Sequence, residues 1–479
     1  MNFCMLLKSL MARPARRPAA EPRDSRSKSR HATSSASANA KPTQTERLTN
    51  AIIELSAKGG YQGVSVAQIS SHARVSSATF YTLFNGKEDC LLAAYRSVAD
   101  RLLGEVRNGT SEGDDWRQIL HGSLHALLSA VCDDPDSGRL LFVEAAAGGP
   151  LIAEERKRVL GQFERLVQSM FDAMPPTGER LDVPATAFIG ALRSIIARRL
   201  RTNAADQLPA MADDLIAWLA AYAVPPGTPI WSSSPRALLA YDSSRTPPAD
   251  QPSRRRLPRG RHGLPAGVVA RSQRTRIIYA TAEVTMSKGY ASTTVADIVA
   301  QAGVARDVFY EHFTDKQDAF LEAQQHPVQH IVDTCASAYF SVARWPERVW
   351  NGLGALLKLI ASAPTISHLR LVECYAAGPV AIRRGEEITR SFTIFLEEGY
   401  GYRSEAQLLP RVTSEAIAGA AFEIIQRHAA RHDFAGLLPR LPQLSYIALA
   451  PFTGPEEAAR LIDELAEQSP EGPALAASA

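Results

Sequence analysis

An all-α fold, built as two tandem copies of one two-domain unit, is predicted by three observations. Apolar residues recur at helical spacing with little strand alternation, one repeat keeps its register along most of the chain, and a short helix, turn, helix pattern opens each copy. At 479 residues the chain is too long for one ordinary core, and the duplication gives the expected multi-domain count a specific form. A hydrophobic share of 45% with a net charge of +3 fits a globular protein. No apolar run approaches the roughly 18 to 20 residues that span a bilayer, so no membrane partner is expected.

The opening Met1 to Leu10 is apolar and precedes the Arg-rich Arg13 to Arg17, the reverse of a secretory signal, and a cytoplasmic location is the expectation. Cys4, Cys90, Cys132, Cys335 and Cys374 are scattered and include no CxxC pair, which points to buried or incidental thiols. Basic residues gather upstream of each copy, in Arg13 to Lys41 and in Arg254 to Arg276. Such segments are either solvated linkers or flexible arms for a polyanion.

Residue n of the first copy answers residue n + 229 of the second without a gap over a long span. Gly60, Tyr61, Ile69, Ala73, Phe80, Tyr81, Phe84 and Lys87 meet Gly289, Tyr290, Ile298, Ala302, Phe309, Tyr310, Phe313 and Lys316. Downstream, Val143, Glu144 and Gly149 meet Val372, Glu373 and Gly378. Near the end, Leu208 and Leu219 meet Leu438 and Leu449 at an offset of 230, so one residue has been inserted. The repeat therefore covers whole units.

In order along the chain, residues 1–43 read as a disordered basic arm and 44–90 as a first three-helix head. In that head Leu48, Ile52 and Leu55 share a helix face before Gly59 and Gly60. Ser65 with Gln68 forms a capping box for a second helix, and Ser76 is an N-cap for a third. Residues 91–224 carry the helical patches of an all-helical bundle, and 225–270 form a Pro and Arg-rich linker. The second head spans 271–319, with Thr294 and Asp297 as its capping box, the second bundle 320–457, and 458–479 is a tail. Gly303 sits at the second turn, where a left-handed backbone suits glycine; Arg74 stands there in the first head, at a cost of roughly 1–2 kcal/mol.

The glycine-aromatic pair, the Ser65 and Ala67 to Ile69 pattern, Val75, Ser76, Thr79, the Phe80-Tyr81-x-x-Phe84 run and Lys87, with their offset partners, resemble the tetracycline-repressor family in both copies. The resemblance implies a transcription regulator, by family default a repressor, located at the nucleoid, that reads a double-stranded DNA operator and responds to a small-molecule effector. It also implies dimerising bundles, which two copies in one chain could satisfy as an intramolecular pseudo-dimer or as a homodimer. Carried over position by position, Tyr81, Lys87, Tyr310 and Lys316 look like phosphate contacts, as does Thr79, whose counterpart Val308 cannot donate.

The base-reading turns differ. Ser76, Ser77, Ala78 and Thr82 stand against Ala305, Arg306, Asp307 and Glu311, so the two half-sites are expected to be unlike. The DNA-contact set thus comprises Ser65, Ser76, Ser77, Thr79, Tyr81, Thr82 and Lys87 in the first head. In the second it comprises Thr294, Arg306, Tyr310, His312 and Lys316. The rival reading keeps the fold but lets only the first head read DNA, leaving the second unit as a dimerisation or sensing module.

No HExxH, GxxxxGK[ST], GxSxG or Cys/His ligand spacing occurs, so neither enzymatic activity nor a cofactor or metal is expected. Glu144 and Glu373 match across the repeat, as ion-pair partners or caps. His121, His125, Trp116, Trp345, Trp350 and Tyr375 are candidates for a pocket lining, but such residues on helices are more often core or surface groups.

Overall fold

The computed structural model describes residues 42–109, 115–174, 177–238, 265–326 and 328–468. The basic runs Arg13 to Lys41 and Arg254 to Arg261, and Cys4, lie outside the described residues.

The first head begins with α1 (Gln44–Gly59), fixed by a capping box in which Thr43 N donates to Glu46 Oε2 at 2.7 Å and Glu46 N donates to Thr43 Oγ1 at 3.2 Å. Gly60 ends it at φ 76, a conformation open to glycine. Next, α2 (Val66–Ala73) starts from the reciprocal Ser65 and Gln68 bonds, at 2.8 and 3.3 Å. The third helix, α3 (Ser77–Leu83), starts at Ser76, whose hydroxyl accepts from Thr79 N at 3.0 Å. Leu48, Ile52, Ile69 and Phe80 are wholly buried between the three.

The second head repeats this with α10 (Ala266–Lys288), α11 (Val295–Ala302) and α12 (Arg306–His312), around Ile277, Ile298 and Phe309. Its first helix starts at Ala266, ahead of position 271, and carries Arg274 and Arg276. Arg274 pairs with Glu322 at 2.9 Å, and Arg276 donates to Gly303 O at 2.8 Å, satisfying carbonyls at the end of α11. These two arginines hold the head together instead of extending the basic arm.

At the turns, Arg74 takes φ 54, ψ 46 and Gly303 takes φ 61, ψ 43. Arg74 thus carries a left-handed strain that its counterpart avoids. Arg74→Gly is expected to stabilise the first head by about 0.5–1 kcal/mol, because relief of the Cβ clash exceeds the extra chain entropy of glycine. A higher urea midpoint at unchanged m-value would show it.

The first bundle comprises α4 (Lys87–Asn108), α5 (Trp116–Asp133), α6 (Pro135–Phe142), α7 (Pro150–Asp172), α8 (Ala185–Arg201) and α9 (Met211–Ala220). A two-residue antiparallel pair, β1 (Arg180–Leu181) with β2 (Ala223–Val224), ties its ends, Arg180 facing Val224 and Leu181 facing Ala223. Strands this short show no alternation to read in a sequence.

In the second bundle the long connecting helix is split into α13 (Lys316–Gln325) and α14 (Val328–Tyr339). The sequence places Pro327 between them, and proline removes a helix hydrogen bond and clashes with the preceding turn. There follow α15 (Trp345–Ser362), α16 (Pro364–Leu371) and α17 (Pro379–Ser391). The last of these gives way to a 3-10 stretch, Phe392–Gly401, where the first bundle has one continuous α7. The bundle closes with α18 (Val412–Ala430), α19 (Leu441–Thr453) and α20 (Pro455–Gln468). Residues read from the sequence as the start of a tail thus form a helix, held by the burial of Ala458, Leu461 and Ile462.

The two bundles meet where α8 and α18 cross. Gly190 and Gly419 allow the approach: a Cβ on Gly190 would lie 2.4 Å from Glu423 Cβ, and one on Gly419 would lie 2.8 Å from Ser194 Cβ. Arg193 pairs with Glu423 at 2.5 Å in the buried centre of this crossing, Arg427 with Glu164, and Arg198 with Glu415 at 2.7 Å. Burial alone would raise the Glu423 pKa, but the guanidinium groups of Arg193 and Arg427 hold it at about 2.

Trp231, in the segment after β2, reaches across to stack on Tyr446 at 4.7 Å between ring centres. Asp182 accepts from Trp231 N, Ser232 N and the Tyr446 hydroxyl at 2.9, 2.7 and 2.8 Å, so part of the stretch read as linker is a strap between the units.

Candidate nucleic-acid interface

The outward face of each head is set by which residues its own core consumes. Phe80 and Phe309 are wholly buried and Phe84 and Phe313 nearly so, as expected for packing residues. Each buried ring supports an exposed tyrosine edge-on: Phe80 and Tyr81 at 5.4 Å and 84°, Phe309 and Tyr310 at 5.4 Å and 87°. Tyr81 is 61% and Tyr310 47% exposed, which places both hydroxyls beyond the reach of the core. Ser76, Ser77, Ala78 and Thr82 are exposed on the same face of the first head, with Thr79 half-buried. Ser76 Oγ also lies 2.8 Å from Thr79 Oγ1, and Thr82 Oγ1 donates to Ala78 O at 3.0 Å.

On the second head Arg306, Asp307 and Glu311 are exposed, and the Arg306 guanidinium lies 5.8 Å from the Tyr310 ring centre. His312 is turned inward: its ring is half-buried against Phe313, and Nε2 is buried without a hydrogen-bond partner. It does not share the presentation of Tyr310. Ser65 and Thr294 are exposed, with their hydroxyls engaged in the capping boxes.

Lys87 and Lys316 have a structural task. Lys87 Nζ donates to Tyr61 O at 3.2 Å over the Tyr61 ring, and Lys316 Nζ donates to Tyr290 O at 3.1 Å and Thr293 O at 3.0 Å over the Tyr290 ring. Burial lowers both lysine pKa values. These ammonium groups close the turn after the first helix of each head, so their replacement would disturb the fold as well as any phosphate contact.

Glu144 and Glu373, which match across the repeat, are caps with long reach. Glu144 Oε2 accepts from Tyr61 N at 3.0 Å, and Glu373 Oε2 from Tyr290 N at 2.7 Å, each tying a bundle to the turn of its head. Burial raises the Glu144 pKa, against the effect of that hydrogen bond. Of the pocket candidates, Tyr375 lines a cavity in the second bundle, Trp116, Trp345 and Trp350 are core, and His121 pairs with Asp213 at 3.0 Å. The arginines that line that cavity beside Tyr375 were not singled out from the sequence, where nothing local distinguishes them from surface arginines.

Among the described residues no single helix is long and apolar enough to cross a membrane, and no group of three or more His, Cys, Asp or Glu is placed to hold a metal.

Comparison with known proteins places both heads. The sequence profile described as "Bacterial regulatory proteins, tetR family" matches residues 48–94 and again 277–323. Over 172 residues the chain is 22% identical to the helix-turn-helix-type transcriptional activator FasR of Mycolicibacterium smegmatis, covering 35% of this chain and 67% of that protein. Among solved structures, the fatty acid degradation regulator FadR of Bacillus halodurans is similar at 17% identity and a TM-score of 0.33, over 38% of this chain and 96% of that one. A transcriptional regulator from Rhodococcus sp. Rha1 is similar at 22% identity and a TM-score of 0.32, over 38% and 100%. With the family's DNA-binding domain present twice in one all-helical chain, the protein is a transcription regulator of the tetracycline-repressor family, duplicated in tandem.

Proposed function

We propose that the protein is a repressor that reads a double-stranded DNA operator with two unlike half-sites, using both heads of one chain, and that a small-molecule effector controls it. The observation that carries this reading is the pair of exposed tyrosines, Tyr81 and Tyr310, standing in matching geometry over buried phenylalanines beside different first turns. Tyrosine hydroxyls so placed can donate to phosphate and fix register, and the residues beside them can read bases. Ser76, Ser77, Thr79 and Thr82 would line the groove in the first head, and Arg306 would read guanine in the second. Ser65, Thr294, Lys87, Lys316 and the less exposed His312 complete the proposed contact set at its margin. The crossing of α8 and α18 supports a pseudo-dimer made within one chain, acting at the nucleoid. A ligand that favours a head spacing unsuited to DNA would then weaken operator binding by linkage. FasR is named as an activator, and a promoter-reporter assay reads the sign for this chain.

The test is footprinting of the best genomic fragment at several salt concentrations, with Tyr81→Ala and Tyr310→Ala made separately. Both substitutions are at exposed positions and leave the cores intact. Two protected half-sites about 34–36 Å apart or a multiple of it, steep salt dependence, and loss of affinity in both variants are expected. Exposed Asp307 and Glu311, and Val308 in place of Thr79, favour the second reading, in which only the first head reads DNA. A single protected half-site, insensitive to Tyr310→Ala, would establish that reading instead.

A further inference from the structure

The two bundles differ inside. The second, with α8 of the first, lines a cavity of about 440 Å³, within the roughly 300–1,000 Å³ typical of small-molecule sites, whereas a void in the first bundle between Tyr95, Leu127, Phe163 and Arg193 measures about 30 Å³. The sequence explains the contrast. In the first bundle Trp218 is wholly buried, stacked on Phe188 at 6.1 Å, with Phe171 against Phe188. The matching positions in the second bundle are Ala448, Ile417 and Tyr400; Ala448 and Ile417 line the cavity. The segments that follow the two breaks, α14 and the stretch from Phe392, form part of its walls through Ile331, Cys335, Phe392 and Leu396.

The cavity is lined from two apolar clusters. In the first unit the head and the bundle share one continuous apolar cluster, whereas the second head, together with Ile366, Leu369 and Cys374, forms a cluster of its own. Ile366 and Cys374 from the second head's cluster and Ile360, Ile417 and Ala448 from the main one all line the cavity.

The lining of this largely apolar space carries an excess of positive charge. Five arginines line it, Arg193, Arg198 and Arg201 from α8 of the first unit and Arg370 and Arg390 from the second, against two glutamates. The three from α8 already have carboxylate partners: Glu423, Glu415 and Glu386. Arg370 has none among the described residues, and its Nη1 is buried without a hydrogen-bond partner. Burial pulls its pKa down to about 10. At the matching position the first unit carries Leu141, which is buried, and where the second has Arg390 the first has Gly161. An unpaired guanidinium in an apolar wall is costly unless an anion meets it.

We infer that each chain holds one effector site, in the second bundle with α8 of the first unit as part of its wall, and that its ligand is an apolar molecule ending in a carboxylate or phosphate that binds Arg370. This rests on the reading of the protein as effector-controlled. Arg370 lies on α16, which packs on α10 of the second head and is followed at once by Glu373, whose carboxylate holds Tyr290 N. A ligand drawn to Arg370 therefore acts on the joint of the second head, and the first head, with Leu141 there, receives the signal only through the α8 and α18 crossing.

The test is calorimetric titration of the full-length chain with decanoate, decyl phosphate, 1-decanol and decyltrimethylammonium. The two anions are expected to bind at one site per chain, the alcohol roughly tenfold or more weakly, and the cation not at all. Whichever anion binds tighter identifies the headgroup. Arg370→Leu should weaken anion binding roughly tenfold or more while leaving the unfolding temperature equal or higher, Arg370→Lys should restore most of it, and Ala448→Trp should abolish it. Two sites per chain, equal binding of the cation, no binding by any probe, or indifference to Arg370→Leu would overturn the inference. Operator affinity, followed by fluorescence anisotropy, separates the two readings. A site lost with operator binding intact removes this inference alone, whereas an anion bound at Arg370 without effect on operator affinity removes effector control and leaves the site.

Discussion

Glu423→Gln is expected to destabilise the protein by about 3–5 kcal/mol and to loosen the two units from one another, because it leaves Arg193 charged and unpaired in the centre of their contact. The partner groups are close on every side: Arg427 bonds the other Glu423 oxygen at 2.8 Å, and Gln426 also accepts from Arg193, at 3.2 Å. The pH dependence follows from the same geometry. The folded-state pKa of Glu423 is depressed from 4.5 to about 2, so its stabilisation is complete above the unfolded value and is lost as pH falls through that interval. Urea unfolding of the parent chain should therefore weaken between pH 4.5 and 2, and the variant should lack that part of the slope. Replacing Arg193 and Glu423 together by Met and Leu should recover most of the loss, since the buried charges vanish as a pair. A variant as stable as the parent would show that the ion pair does not hold the crossing.

Phe309→Ala and Phe80→Ala are each expected to cost about 3–5 kcal/mol within one head, enough to unfold a small three-helix domain, since both rings are wholly buried at the centre of their helices. The consequences should be unequal. The second head has its own apolar cluster with α16, apart from the main core, whereas Leu48, Ile52 and Phe80 belong to a cluster continuous with the first bundle. Phe309→Ala should thus erase one half-site from the footprint and leave the melting of the bundles little changed. Phe80→Ala should erase the other half-site and lower the main transition as well. Hydrogen exchange by segment would check both, and identical profiles for the two variants would contradict the division of the core.

The heads were legible because their determinants are local. Capping boxes at Ser65 and Thr294, the glycines after α1 and α10, and the spacing of Phe80 and Tyr81 all act within a few residues. The same locality explains why Arg74 could be recognised as a strained substitute for Gly303. Glu144 and Glu373 stood out only as a repeated pair, because the backbone each one caps lies 83 residues away. His312 read as an outward residue of a recognition helix, yet its ring turned onto Phe313.

Arg370, in a stretch of alternating apolar and polar residues, looks like any solvated arginine of an amphipathic helix. Its isolation is created by α16 folding over a cavity roofed by α8 from the other unit. The sequence by itself determined an all-helical, twice-repeated chain with two heads, since capping, turn preference and helical period are properties of neighbouring residues. Tertiary structure decided that α8 and α18 cross at paired glycines, that Trp231 straps the units, and that a cavity of about 440 Å³ lies in the second bundle against α8 of the first. Those outcomes depend on volumes and charges meeting across some 230 positions of chain, where a Trp218 or an Ala448 acquires its meaning only from the space around it.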